Sequence, residues 1–159
     1  MAAHKIEEIL RNKKIYQILR PKTVTCRPWI TLQKALELMH QENAGYIVVT
    51  DEHLKVVGMF TEKHVLMKVL VPGVSLNEPM SKYMNAEPIT LTKRDTVGRA
   101  IEVMHDTKMR HIPLVDDLGQ CVGVLSVRTV VTFLSELFPT EVFNLPPHAD
   151  QFFDTAEGG

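Results

Sequence analysis

The chain has 159 residues, enough for one domain with a sizeable core, and its 45% hydrophobic and 23% charged content excludes a disordered or fibrous protein. A net charge of −1 leaves no electrostatic footprint for nucleic acid, and no apolar run reaches membrane-spanning length. The charged start (His4, Lys5, Glu7, Glu8) is unlike a signal peptide, so an intracellular, cytoplasmic protein is expected, without nucleic-acid or membrane partners.

In chain order, Ile6, Ile9 and Leu10 share one face of an N-terminal amphipathic helix within residues 1–15, expected to pack on the rest of the module. A short extended piece lies near Val24. Thr31 is a helix cap, and Leu32, Ala35, Leu36 and Met39 follow on one helical face. That helix should stop near Ala44-Gly45, where Gly45 accepts the left-handed conformation. Tyr46 to Val49 reads as a buried strand, Asp51-Glu52-His53 as a turn, and Val56 to Phe60 as the returning strand. Thr61 caps a helix from about Glu62 to Leu70, which Pro72-Gly73 ends. The order then recurs. There is an extended piece near Ile89, then a helix after Thr96 with Val97, Ala100, Ile101 and Met104 on one face. Next come a strand from His111 to Val115, a turn at Asp116 to Gly119, and a strand from Cys121 to Leu125. Ser126 caps a final helix that runs to about Phe138 and meets Pro139. Cys26 and Cys121 fall in strands or at their edges, in no metal-type spacing, and read as reduced, buried thiols. Residues 139–159 form an acidic tail: Glu141, Asp150, Asp154 and Glu157 stand there with no Lys or Arg, which leaves the body at +3. Pro146-Pro147 and Gly158-Gly159 do not favour regular structure in that tail.

The recurrence is visible residue by residue. With an offset of 65, Ala35-x-Glu37-x-Met39-His40 falls on Ala100-x-Glu102-x-Met104-His105 without a gap. Thr25 meets Thr90, Thr31 meets Thr96, Ile47 meets Ile112, Asp51 meets Asp116, and Val57-Gly58 meets Val122-Gly123. Average residue usage predicts only about two or three chance identities over such a window. Val24 with Ile89, Leu36 with Ile101 and Thr61 with Ser126 agree conservatively. A unit this short does not bury its apolar face alone, so the two copies must pack on each other, with a ligand site expected at the seam.

Gly58-Met59-Phe60-Thr61-Glu62-Lys63 and Arg110-His111-Ile112-Pro113-Leu114-Val115-Asp116 resemble the signature segments of the cystathionine-β-synthase (CBS) domain. Two tandem copies resemble a Bateman module, and the first copy is similar to bacterial stand-alone CBS-pair proteins. The likeness runs from about Tyr16 to Phe138, with repeats at 16–71 and 72–138. It implies an α/β (α+β) fold of two pseudo-symmetric β-α-β-β-α units packed through their sheets and paired as a disc-like homodimer. It implies a non-catalytic module that senses an adenosine-containing ligand (AMP, ADP, ATP or NAD) in clefts between the copies and passes the change to a regulated partner.

The residues themselves point to an anion. Thr61 and Ser126 stand at strand-to-helix junctions, where free backbone N–H groups and the helix dipole favour a phosphate. Thr and Ser are also ordinary helix caps. Lys63 and Arg128, in the first turns, are poorly placed cations unless an anion joins them. The resemblance gives Arg110 and His111 a phosphate-reaching role; as plain residues they are a solvated rim pair. The first copy has Gly45 and Tyr46 there, and Tyr46 either stacks on a base or fills core. Val24, Ile89, Ile112 and Pro113 are apolar walls of an adenine slot, or core. Where the family carries a ribose-binding Asp, this chain has His64 and Thr129. Ribose recognition should therefore be weaker or differently arranged, each missing hydrogen bond costing about 1–3 kcal/mol. Arg110, His111, Ser126, Arg128 and Thr129 make the second cleft the better equipped.

Other chemistry finds little support. The seven His residues show no His-Glu-x-x-His spacing, and no phosphate-loop or dinucleotide glycine pattern occurs, so neither a metal nor an enzymatic site is expected. A rival reading is an interaction module with vestigial clefts that works through its faces and through Phe143, Phe152 and Phe153 of the tail. A homodimer is expected from apolar helical residues Met39, Leu66, Met67, Val103, Val130 and Phe133.

Overall fold

The structure, a computed structural model, describes residues 2–137. Helix α1 (Ala2–Asn12) leads into a 3-10 turn at Ile15–Gln17, then β1 (Thr25–Cys26), α2 (Leu32–Gln41), β2 (Tyr46–Thr50) and β3 (Val56–Thr61). One α turn, α3 (Glu62–His64), continues into a π turn at Val65–Val69. A second 3-10 turn (Met80–Lys82) and β4 (Asn85–Ala86) precede α4 (Val97–Thr107), β5 (His111–Val115), β6 (Cys121–Ser126) and α5 (Val127–Glu136). The tail from 139 to 159, its three Phe residues and the helix end expected at Phe138 lie outside the described residues.

The expected units are present, and their repeated residues have structural reasons. Thr31 and Thr96 accept hydrogen bonds from Lys34 N and Arg99 N at 3.1 and 3.0 Å and so cap α2 and α4. Asp51 Oδ1 accepts from His53 N and Lys55 N, and Asp116 Oδ1 from Leu118 N and Gln120 N, closing the same turn twice. The β2–β3 and β5–β6 pairs share one antiparallel register, each with an irregularity at the corresponding step, Val49/Thr50 and Leu114/Val115. The Val-Gly pair recurs because a side chain lies on each glycine. A Cβ on Gly58 would stand 2.4 Å from Met84 Sδ, and one on Gly123 would stand 3.0 Å from Leu19 Cδ2.

The halves meet about a pseudo-two-fold axis. Val56 N donates to Gly119 O at 3.2 Å, and its counterpart Cys121 N donates to Leu54 O at 2.9 Å. At the opposite side of the seam the equivalent rings of Tyr46 and His111 touch, 4.8 Å between centroids. The halves also exchange their leading segments. Ile15 N donates to Asp95 O and Val97 N to Lys13 O; 65 residues on, Met80 N donates to Ile30 O and Leu32 N to Glu78 O. Ile15 thus lies fully buried in the second unit's core with Leu114 and Leu125, and Met80 in the first unit's core with Val48 and Phe60. Helix α1 packs on α4, where Leu10 joins the second core and Gly98 lets the Leu10 carbonyl approach.

Several expectations need correction. The residue in left-handed conformation after α2 is Asn43, with Lys108 at the same place after α4; Gly45 does not take that conformation. Asn tolerates it through local hydrogen bonding, so no glycine is needed. The helix expected over 62–70 is one α turn plus a π turn, unlike its regular counterpart α5. The extended piece near Ile89 is reduced to a single parallel bridge, Leu91 to Leu114. In the first copy Val48 N donates to Val24 O, whereas its counterpart Pro113 has no N–H to give Ile89. Pro21, which stands where the second copy has Ala86, has no N–H either, and only the first sheet gains a fourth strand. Of the apolar residues expected on a dimer face, Met39, Val103 and Val130 are buried in the cores; Leu66 and Met67 are exposed.

Candidate functional site

Strands β3 and β6 both end at the seam and hand the chain to α3 and α5 there, so their junctions face one cavity of about 780 Å³. The first copy contributes Gly45, Thr61, Glu62, Lys63 and His64, and the π turn adds Leu66, Met67 and Lys68. The second contributes Lys108, Met109, Arg110, His111, Ser126, Val127 and Arg128, and the exchanged segment before α4 adds Met84, Asn85 and Ala86. The two expected clefts thus open into one space.

Five cations line it, Lys63, Lys68, Lys108, Arg110 and Arg128, against one carboxylate, Glu62. Among the described residues the ion pairs within 4 Å are Lys34–Glu37, Lys82–Glu78 and Arg99–Glu102, so none of the five is neutralised. The imidazoles register this field. Burial, helped by Lys68 and Lys63, holds the His64 pKa below its ordinary value. Burial and Arg110 do the same to His111, with Glu62 pulling the other way. Four methionines (Met59, Met67, Met84 and Met109) supply apolar, polarisable wall.

Local hydrogen bonds fix what each polar group has left to offer. Thr61 N–H donates to His64 Nδ1 at 2.9 Å, so the neutral ring carries its proton on Nε2 and faces a ligand only as a donor. Ser126 Oγ accepts from Thr129 N at 3.1 Å and so caps α5, and it shares one further hydrogen bond with Thr129 Oγ1 at 3.0 Å. Glu62 N donates to Gly45 O and Val127 N to Arg110 O, which ties each helix start to the strand beside it.

Of the residues singled out in the sequence, Thr61, Lys63, His64, Arg110, His111, Ser126 and Arg128 come together around the cavity. Val24, Ile112 and Pro113 lie buried, while Ile89 is exposed and outside the cavity lining. Tyr46 lies against His111, its hydroxyl donating to Lys22 O at 3.2 Å. Thr129 stands one residue beyond the lining. Sequence reasoning missed Lys68, Lys108 and the methionines. Lys68 was discoverable one helical turn after His64; Met84 reaches the site only through the segment exchange, which leaves no identity between the copies. The free thiols have their pKa raised by burial, Cys26 to about 12, so neither is a nucleophile near neutral pH. Among the described residues no three His, Cys, Asp or Glu side chains gather as a metal site, and no helix is long and apolar enough to cross a membrane.

A duplicated unit with this topology, its strand-to-helix junctions gathered on a shared cavity, defines a tandem-repeat α/β module. The sequence model of the CBS domain matches residues 15–71 and again 80–136, and the chain belongs to the CBS domain family as a tandem pair. A mitochondrial CBS domain-containing protein of Arabidopsis thaliana is 35% identical over 106 residues, which are 64% of this chain and 51% of that protein. The chain thus spans about half the length of that curated relative. Among solved structures, a CBS-domain containing protein of Agrobacterium tumefaciens is 26% identical with a TM-score of 0.70, covering 77% of this chain and 99% of its own. A CBS domain protein of Pyrobaculum aerophilum, complexed with AMP, is 24% identical with a TM-score of 0.69 over 77% of this chain and 98% of its own.

Proposed function

We propose that the protein is a non-catalytic sensor that binds an adenine nucleotide in the cavity between its two CBS repeats. The observation that carries this reading is the set of five cations, without acidic partners among the described residues, around a methionine-walled space of about 780 Å³. A cavity of that size suits a nucleotide, with charge for the phosphates and polarisable sulfur for the flat base. The AMP complex of the Pyrobaculum protein supports the same ligand class. Arg110, Arg128, Lys63 and His111 are the phosphate contacts in this reading. A thermal-shift panel of AMP, ADP, ATP, NAD and S-adenosylmethionine tests it: a bound nucleotide raises Tm by mass action. No shift with any of them at about 1 mM would refute it, since binding weaker than that leaves almost no stabilisation.

A second reading, a protein-interaction module, is favoured by Leu66 and Met67, which line the cavity yet are 67% and 68% exposed, beside Leu70 at 64%. In this proposal the patch pairs with a second copy, so a ligand that touches Leu66 or Met67 also acts on the pairing. Sedimentation should give about 36 kDa, twice the 18.0 kDa chain, and Leu66→Glu should return the mass to one chain.

A further inference from the structure

The cavity's polar groups are unequal in kind, and that inequality bears on which nucleotide it takes. A vicinal diol is held best by a carboxylate, which accepts from both hydroxyls, and the side chains at the two helix starts, His64 and Thr129, supply none. His64 Nδ1 already accepts the Thr61 amide at 2.9 Å. The Ser126 and Thr129 hydroxyls lie 3.0 Å apart in a mutual bond, and Ser126 Oγ also takes the Thr129 amide. The carboxylate of the lining, Glu62, lies over Gly45, its Oε1 3.0 Å from where a Cβ there would stand, and its charge acts on His111. Donors are in surplus: Lys63, Lys68, Lys108, Arg110 and Arg128 line the cavity with no carboxylate within ion-pair distance among the described residues. A monophosphate brings a charge of about −1.5 to −2, which leaves most of that cationic set uncompensated. Each further phosphate adds acceptor oxygens to a lining whose cationic donors outnumber its carboxylate five to one.

We propose that the cavity selects its ligand by phosphate charge and not by the ribose diol, so that a nucleoside triphosphate is preferred over the monophosphate and the 2′-hydroxyl is not read. This rests on the nucleotide reading above and narrows it. The base packs against methionine, the phosphates occupy the cationic rim, and the sugar only spans the two.

Isothermal titration of the full chain in EDTA with ATP, 2′-deoxy-ATP, AMP and inorganic tripolyphosphate tests this. ATP should bind at least about tenfold tighter than AMP, a difference that shrinks in high salt, as ionic contacts do. Deoxy-ATP should match ATP within about twofold, since no hydrogen bond is lost. Lys68→Ala and Lys108→Ala should weaken ATP more than AMP. AMP binding as tightly as ATP would overturn the proposal. So would a tenfold or larger penalty for deoxy-ATP; if that penalty vanishes in Glu62→Gln, Glu62 is the ribose reader. Binding of tripolyphosphate without any nucleotide would sink the nucleotide reading while charge selection stands, and binding of none of the four would sink both.

Discussion

In the proposed sensor, the Arg110 side chain is a liability without nucleotide and an asset with it. Exposed on the cavity rim, it adds positive charge to a space that already holds Lys108 and Arg128, and its own carbonyl, not its side chain, holds Val127 N at 2.9 Å. Arg110→Ala should therefore leave Tm of the unliganded protein unchanged or slightly higher, because like-charge repulsion is relieved. The same change should weaken nucleotide binding about tenfold or more, the range for a charged hydrogen bond. Calorimetric melting and titration of the same sample read both signs, and a fall of several degrees in the unliganded Tm would show the side chain to be structural. The two histidines add a pH signature. Their folded pKa values lie below the ordinary 6.5, so the unfolded chain takes protons first as pH falls. Their stabilising contribution is present above about pH 6.5 and is lost as pH drops through the folded values. A bound phosphate raises both values, so binding takes up protons and affinity should rise from pH 8 toward pH 6. His64→Gln keeps an acceptor three residues after Thr61 without a titrating group, and should flatten the acid limb of Tm against pH. An unchanged limb in that variant would place the titration elsewhere.

Among the elements, the hairpins and their caps were legible in the sequence because each depends on residues close in the chain. Thr31, Thr96, Asp51 and Asp116 do the same local work twice and are identical in both copies. The π turn at Val65–Val69 was not legible, since its apolar spacing also fits an ordinary helix. Nor did the sequence reveal why Gly58 and Gly123 recur, because the side chains that lie on them, Met84 and Leu19, come from segments without identity. Those contacts differ in severity. A Cβ on Gly58 would lie 2.4 Å from Met84 Sδ, 2.9 Å from Cε and 3.1 Å from Cγ, so the whole methionine must move. On Gly123 the tight contact is the Leu19 Cδ2 methyl at 3.0 Å. Gly58→Ala should cost about 1–3 kcal/mol, as overpacked sites do. Gly123→Ala should cost less than about 1 kcal/mol, with the leucine end giving way. Urea unfolding compares the two, and Met84→Ala in the Gly58→Ala background should recover part of the loss. Equal costs would mean that the close approach to Met84 does not decide the matter.

At the scale of the whole molecule, the repeat invites the view that each copy is a unit that docks on its twin. The segment exchange argues for a tighter union. Ile15 and Met80 are equivalent residues, both fully buried, and each completes the core of the half to which it does not belong by sequence. The repeat was legible from Thr25 onward, where identities survive. Upstream of that, Lys13 to Gln17 and Glu78 to Lys82 share no residue and keep only the backbone pairing and one apolar anchor, which self-comparison does not register. The cavity inherits this dependence, because Met84, Asn85 and Ala86 reach it on the exchanged segment. A chain cut between residues 71 and 72 leaves the first fragment without Met80 and the second without Ile15. Losing a buried residue of that size costs about 2–5 kcal/mol, comparable to the whole stability of a half this small. Circular dichroism and amide exchange should therefore find each fragment unfolded alone. Mixed at equal concentration, they should regain the native spectrum and the nucleotide-dependent Tm shift together, since the cavity exists only where both exchanges are made. A first fragment that folds cooperatively by itself would show the copies to be independent domains and the exchange to be a surface contact.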